Sequence, residues 1–170
     1  AMERIEKQIG ESVDVVIMVQ GDEPLIQPKT IAETISYFDE DTTNIVNIMS
    51  HLVTQESFED ENNVKVVVNC NNDALYFSRE PIPHKADEIS RNAQTGLIFF
   101  KRDYLIHYNS MVQTPLEIIE SIDMMRVIEN GDSVRMLKIT GNNIGVDTKE
   151  DLLTAKRLME SDMFLKQYLN

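Results

Sequence analysis

The sequence predicts a single α/β domain over residues 1–170, built on a mixed, mostly parallel sheet flanked by helices. Three observations predict it. Short apolar runs rich in β-branched residues alternate along the chain with stretches whose apolar residues recur every three or four positions, the periods of strand and helix. Val13 to Val19 is an almost unbroken apolar run, which is how a strand covered by helices on both faces reads. A length of 170 residues with 42% hydrophobic residues suffices for one full core, without a division into two domains.

The elements follow in order. Met2, Ile5 and Ile9, with charges between them, predict a helix over residues 2–9. The strand Val13–Val19 ends abruptly at Gln20-Gly21-Asp22-Glu23-Pro24. Pro28 then opens a helix through about Phe38, with Ile31, Ile35 and Phe38 on one face. Asn44–Met49 is a second strand. Val64–Asn69 and Ala74–Ser78 flank the polar turn Asn71-Asn72-Asp73 and predict a hairpin, which makes the sheet mixed. Residues 79–92, with two prolines and several charges, read as a long surface loop. Thr95–Lys101 is a strand followed by a helix near 102–109. Pro115 opens a longer helix, with Ile118, Ile119, Ile122, Met125 and Ile128 apolar and Asn130-Gly131 as its stop. Val134–Ile139 is a strand, Ile144-Gly145-Val146 a short extended piece, and Thr148 begins the last helix, which runs to about Ser161.

Charge excludes several function classes. Sixteen Lys and Arg against 29 Asp and Glu give a net charge of −13, which opposes general nucleic-acid binding and charge-driven docking on anionic membranes. A phosphorylated small molecule stays compatible, because a divalent cation can carry the positive charge locally. No apolar run approaches the roughly 20 residues that span a bilayer. The single cysteine, Cys70, permits no internal disulfide, and a cytoplasmic location is expected. His51, His84 and His107 show no metal-ligand spacing and read as surface or supporting residues.

In open α/β sheets ligands bind beyond the carboxyl ends of strands, and two such ends carry an acid, Asp22 and Asp147. Each has a simpler reading. Asp22 suits a turn that accepts backbone hydrogen bonds, and Asp147-Thr148 suits a helix cap, with Thr148 and Asp151 forming a capping box. Together the two carboxylates could clamp one metal beside a nucleotide triphosphate. Arg79 is delivered by a strand into a proline-stiffened loop and has the fork that grips a carboxylate or phosphate. It could equally pair with Glu80 or Asp87. Glu117, in the first turn of a helix, fits either capping or a site. Glycine-rich phosphate loops, nucleophile elbows and zinc signatures are absent from the sequence.

The series Val19-Gln20-Gly21-Asp22-Glu23-Pro24-Leu25-Ile26, Val64-Lys65-Val66-Val67, Ala74-Leu75-Tyr76-Phe77-Ser78-Arg79-Glu80-Pro81-Ile82-Pro83, Pro115-Leu116-Glu117 with Arg126-Val127-Ile128-Glu129-Asn130-Gly131, and Gly145-Val146-Asp147-Thr148 resembles the 3-deoxy-manno-octulosonate cytidylyltransferase (CMP-Kdo synthetase) family, over nearly the whole chain. The resemblance implies a Rossmann-like nucleotide-sugar transferase fold and a homodimer. It implies that CTP and the keto-acid sugar Kdo give CMP-Kdo and pyrophosphate, for lipopolysaccharide biosynthesis, with Mg²⁺ as cofactor. In that picture Asp22 and Asp147 hold the metal as the catalytic pair, Gln20 contacts the nucleotide, Arg79 pairs with the sugar carboxylate and Glu117 lies at the sugar site. Two departures from the family pattern stand out. The family's opening strand and its Arg/Ser/Lys-containing triphosphate loop have no counterpart here, so the positive groups expected around the triphosphate are not among these residues. Where the family shows His and Tyr near the sugar, this chain has Gln94 and Ile98, which allows a Kdo variant or another keto-acid sugar. An acylneuraminate-type cytidylyltransferase and a non-catalytic nucleotide-sugar binding or dimerisation module are the alternative readings.

Overall fold

Two apolar faces on one sheet determine the architecture. In β2 (Ile45–His51) the side chains of Ile45 and Met49 enter one core and those of Val46 and Ile48 the other; in β5 (Asn92–Lys101) Ile98 and Phe100 alternate in the same way with Leu97 and Phe99. The computed structural model describes residues 1–40, 43–138, 145–146, 148–162 and 165, the side chains of 39 and 40 excepted. In chain order the other elements are α1 (Met2–Ile9), β1 (Val15–Val19), α2 (Pro28–Glu40), α3 (Gln55–Glu59), β3 (Lys65–Val68), β4 (Ala74–Ser78), α4 (Arg102–Ser110), α5 (Pro115–Glu120), α6 (Met125–Glu129), β6 (Arg135–Lys138) and α7 (Lys149–Glu160). Phe38 of α2 packs on one face of the sheet; Tyr104 and Tyr108 of α4, with Met125 and Val127 of α6, pack on the other.

The sheet is mixed, as expected, but its balance is reversed. The order is β4-β3-β5-β2-β6 with β1 beside β5, and of the five strand pairings among the described residues only β2–β6 is parallel. β5 is central. One edge pairs with β2, and the other is shared end to end by β1, opposite Leu97–Lys101, and β3, opposite Ala93. The apolar run at β1 is therefore not a strand buried on both faces. It pairs antiparallel with β5 alone among the described strands, and its side chains are half-buried, with Val19 exposed. An apolar run has the same composition in the middle and at the edge of a sheet, and β2 and β5 are the strands that carry the doubly buried pattern.

The hairpin β3–β4 forms as expected. The long helix expected from Pro115 to Asn130 is instead two. Ser121 takes the left-handed conformation (φ 55°), and its N–H and that of Ile122 both donate to the Glu117 carbonyl, ending α5. The break turns Ile122 and Met125 into the core and leaves Ile118 and Ile119 exposed. At the amino end, Arg102 forks onto Glu6 (Nε–Oε1 2.5 Å, Nη2–Oε2 2.9 Å) and pins α1 to the start of α4.

The Thr148–Asp151 capping box is present: Thr148 Oγ1 accepts the Asp151 N–H at 3.1 Å and Asp151 Oδ2 accepts the Thr148 N–H at 2.8 Å. Thr148→Ala orphans the Asp151 N–H at the start of α7. It is expected to cost ~1 kcal/mol and lower Tm by about 2–4 °C in a circular-dichroism melt.

Candidate functional site

The turn after β1 is latched onto β5. The Gln20 N–H donates to the Gly96 carbonyl at 3.1 Å, and the Gly96 N–H donates to Glu23 Oε1. Gly96 stands out from the sheet because β5 bulges there. Asn47 of β2 is opposite Ile98 and Met49 is opposite Gln94, so Thr95, Gly96 and Leu97 face the single residue Ile48. Fully buried Asn47 fills the gap. Its Nδ2 donates to the carbonyls of Thr95 (2.9 Å) and Leu97 (3.1 Å), while Thr95 Oγ1 donates to the Ile48 carbonyl at 3.0 Å.

The bulge needs glycine. A Cβ on Gly96 would lie 2.6 Å from both Cβ and Cδ of Gln20. Gly21 has open space around it and a φ outside the left-handed region, so the backbone constraint at this turn lies on Gly96. Gly96→Ala is expected to displace Gln20 and to destabilise the protein by ~1–3 kcal/mol, read from the urea midpoint. A midpoint equal to wild type would show that Gln20 moves aside freely.

The latch brings Asp22 to the rim of a cleft of about 1380 Å³ that Gln20, Arg79, Gln94, Gly96 and Gly145 also line. The Val146 N–H donates to the Asp22 carbonyl at 2.9 Å, which joins the Gly145-Val146 piece to this turn. Asp147 lies outside the described residues; of its neighbours, Val146 bonds to Asp22 and Thr148 caps α7. The Asp22 side chain is exposed and makes no hydrogen bond or ion pair with a described residue. A turn-capping role for that carboxylate therefore does not apply. Among the described residues no three His, Cys, Asp or Glu side chains form a cluster able to hold a metal.

Across the cleft, strand alternation explains the Leu75-Tyr76-Phe77-Ser78-Arg79 stretch. Phe77 points into the core, while Tyr76 and Ser78 share the other face. Their hydroxyls donate to Glu120 of α5 (Tyr76 Oη–Oε1 2.9 Å, Ser78 Oγ–Oε1 3.2 Å), and the Arg79 N–H donates to the same carboxylate at 3.2 Å. Burial, and then the bond to Glu120, raise the Tyr76 pKa. The Arg79 guanidinium bonds to main-chain carbonyls and not to the acids suggested by the sequence: Nε to Glu120 at 3.0 Å, Nη1 to Glu61 at 2.9 Å and Nη2 to Ser121 at 3.4 Å. An arginine has five N–H groups, so two are left for a ligand.

Glu117 is not brought to the cleft. It is 4% exposed, with Oε2 accepting Arg126 Nε at 2.8 Å, Oε1 accepting Arg126 Nη2, and the Thr114 N–H donating back at 3.2 Å. The Arg126 hydrogen bonds hold its carboxyl below the usual carboxylate range. The capping reading of this acid is the one the geometry carries. Gln94, in contrast, lines the cleft with its Oε1 buried and unpartnered among the described residues.

His51 and Asp123 are among the cleft residues that the sequence does not single out. His51, read as a surface or supporting residue, lines the cleft with its Nδ1 buried and unpartnered among the described residues. Asp123 reaches the cleft because of the helix break at Ser121. Only the break reveals Asp123. A longer reading of the second strand, through His51, would have flagged His51.

Residues 1–139 match the family described as Cytidylyltransferase. The chain is 43% identical over 142 residues to a 3-deoxy-manno-octulosonate cytidylyltransferase of Fusobacterium nucleatum subsp. nucleatum, covering 82% of this chain and 58% of that protein. It is 37% identical over 153 residues to the protein of the same description from Geobacter metallireducens, covering 82% of this chain and 60% of the relative. The chain thus spans about three fifths of the length of these curated relatives. The structure superposes on CMP:2-keto-3-deoxy-manno-octonic acid synthetase complexed with CTP with a TM-score of 0.78 and 28% identity, covering 94% of this chain and 67% of that one.

Proposed function

The chain belongs to the cytidylyltransferase family, and from that premise we propose that the whole protein couples CTP to a keto-acid sugar, Kdo or a close relative, releasing pyrophosphate and a CMP-sugar. The observation that carries the reading is the cleft, where Asp22, a carboxylate with no partner among the described residues, and an anchored guanidinium, Arg79, line one opening. Such a pairing suits a metal-bound triphosphate on one side and a sugar acid on the other.

Each residue has a role that its surroundings support. Gln20, pressed against Gly96, contacts the nucleotide. The two remaining N–H groups of Arg79 grip the sugar carboxylate. Gln94 Oε1, with no partner among the described residues, accepts from a sugar hydroxyl. The anomeric oxygen attacks the α-phosphorus and the bond to the bridging oxygen breaks, so that pyrophosphate leaves. The chain contributes alignment and charge compensation more than covalent chemistry.

The donor set fits Mg²⁺. A hard cation in a nucleotide site takes one or two carboxylates and completes its shell with phosphate oxygens and water, so a cage of three protein acids is not needed. Asp22, exposed and unpaired among the described residues, is proposed as one such ligand and Asp147 as the second. The ion would neutralise the triphosphate beside Asp22. A homodimer, a cytoplasmic location and a place in lipopolysaccharide biosynthesis belong to the same proposal. Among the described residues no helix is long and apolar enough to cross a membrane.

The test is pyrophosphate release by the full-length protein with CTP, Mg²⁺ and Kdo. Release that depends on the sugar supports the reading. Preference for N-acetylneuraminate would move it to the acylneuraminate type, and no release with any keto-acid sugar would leave only a binding module.

A further inference from the structure

Lys65 is the first residue of β3, followed by three valines, and is fully buried. A buried ammonium is costly to desolvate unless it is paired, and replacing it with an apolar side chain of similar size is often neutral or stabilising. Among the described residues no carboxylate lies within ion-pair distance of it. Its Nζ donates instead to two main-chain carbonyls, that of Asp60 at 2.9 Å and that of Arg79. Burial lowers its pKa, opposed by the more distant carboxylates of Asp60, Glu80 and Glu120.

The two carbonyls identify what the ammonium does. Arg79 donates from Nη1 to the carbonyl of Glu61, the residue after Asp60. Lys65 and Arg79 therefore tie the same two segments together from both sides: Lys65 through the Arg79 main chain, and Arg79 through its own side chain. Glu120 fixes the same residue a third way, by accepting the Arg79 N–H and, through its carbonyl, the Arg79 Nε–H. Both main-chain polar groups of Arg79 and three of its guanidinium donors are thereby committed, and the direction of the guanidinium at the cleft wall is set.

We propose that Lys65 is a positioning residue: it clasps the Asp60-Glu61 and Arg79 main chains together so that the Arg79 guanidinium is presented to the cleft in one orientation. The proposal rests on the reading of Arg79 as the group that meets the acid of the sugar. It explains why a charge is kept inside an apolar strand, where a methionine would fill the space at lower desolvation cost.

The test uses Lys65→Met in the full-length protein. Losing hydrogen bonds from a charged donor is expected to raise KM for the keto-acid sugar about tenfold, with KM for CTP within about twofold of wild type. In an Arg79→Ala background the same substitution is expected to change the sugar KM no further, because its effect runs through Arg79. Equal rises in both KM values, an unchanged sugar KM, or full additivity with Arg79→Ala would overturn the proposal. If Lys65→Met does not fold, Lys65→Gln, which keeps an N–H donor, is taken through the same measurements. Hydrogen–deuterium exchange supplies a readout that needs no turnover. Amides of residues 60–63 and 79–82 are expected to exchange faster in the variant while β2 and β5 stay protected; equal protection in both segments would also overturn the proposal. A wild-type protein without sugar-dependent pyrophosphate release defeats the functional reading, and exchange then decides the clasp by itself.

Discussion

Asp22→Asn is expected to leave the protein folded and to cut Mg²⁺-dependent turnover by on the order of 10³-fold. The two halves of this result have one cause. The Asp22 carboxylate is exposed and makes no hydrogen bond or ion pair with a described residue, so the fold loses nothing when its charge is removed. On the proposed reading, turnover loses a hard anionic ligand for the cation. The amide is nearly the same size but neutral, and it binds Mg²⁺ weakly. Measured together, Tm stays within about 2 °C of wild type while kcat collapses. Raising the Mg²⁺ concentration should recover part of the rate. Unchanged turnover would remove Asp22 from the metal site, and a large drop in Tm would show a structural role that the geometry does not contain. Asp147→Asn is the companion variant and is expected to show the same loss of turnover.

The largest stability effect is expected at Glu117. Its carboxylate is 4% exposed and receives the Arg126 guanidinium, which lies 4.7 Å above the Tyr108 ring. Glu117→Ala leaves a mostly buried guanidinium without its counter-charge and is expected to cost ~3–5 kcal/mol, read as a fall in the urea midpoint. The double variant Glu117→Leu with Arg126→Met removes both charges together and should lose less than the single one. The pH dependence has a definite sign. The folded carboxyl is held below its ordinary value, so its contribution is fully present above the unfolded pKa of about 4.3 and is lost as pH falls through the folded value. The gap in stability between wild type and Glu117→Ala should therefore be full at pH 7 and shrink in acid below pH ~4. A gap that is constant with pH would rule out the ion pair as its source.

Much of the fold was legible because it is written in local periodicity. The helices at 2–9 and from Pro28, the hairpin about Asn71-Asn72-Asp73 and the box of Thr148 and Asp151 each depend on residues within a few positions of one another, and each is present. What was not legible depends on distant partners. Nothing local announces that Ser121 takes a left-handed conformation, since serine does so rarely, and with that break go the exposure of Ile118 and Ile119 and the arrival of Asp123 at the cleft. The edge position of β1 is fixed by which strands lie beside it. The bulge at Gly96 is held by Asn47, almost fifty residues earlier. α3 was left unassigned, although Thr54 and Ser57 form a capping box that starts it. For the site, the motif residues Gln20, Asp22 and Arg79 were legible together with Gln94, and all four line one cleft. Glu117 was drawn to the site by its place in the motif, yet a first-turn glutamate beside a buried arginine finds its partner within the fold.

The central position of β5 also bears on how the chain reaches this structure. The strand lies between partners from far upstream: Val15 registers with Lys101 and Ile45 with Phe100. Such pairings must close long loops before they gain any contact, and they slow the search. The β3–β4 hairpin, with Val66 opposite Phe77, needs only a short loop and can form early. Folding is then expected to be limited by the insertion of β5 between strands already made. The bulge at Gly96, the latch of Gln20 and the wall at Gln94 would all appear in that last step. Refolding followed by an intrinsic reporter of the core and by ligand binding should give one shared slow phase, since no earlier intermediate contains the cleft floor.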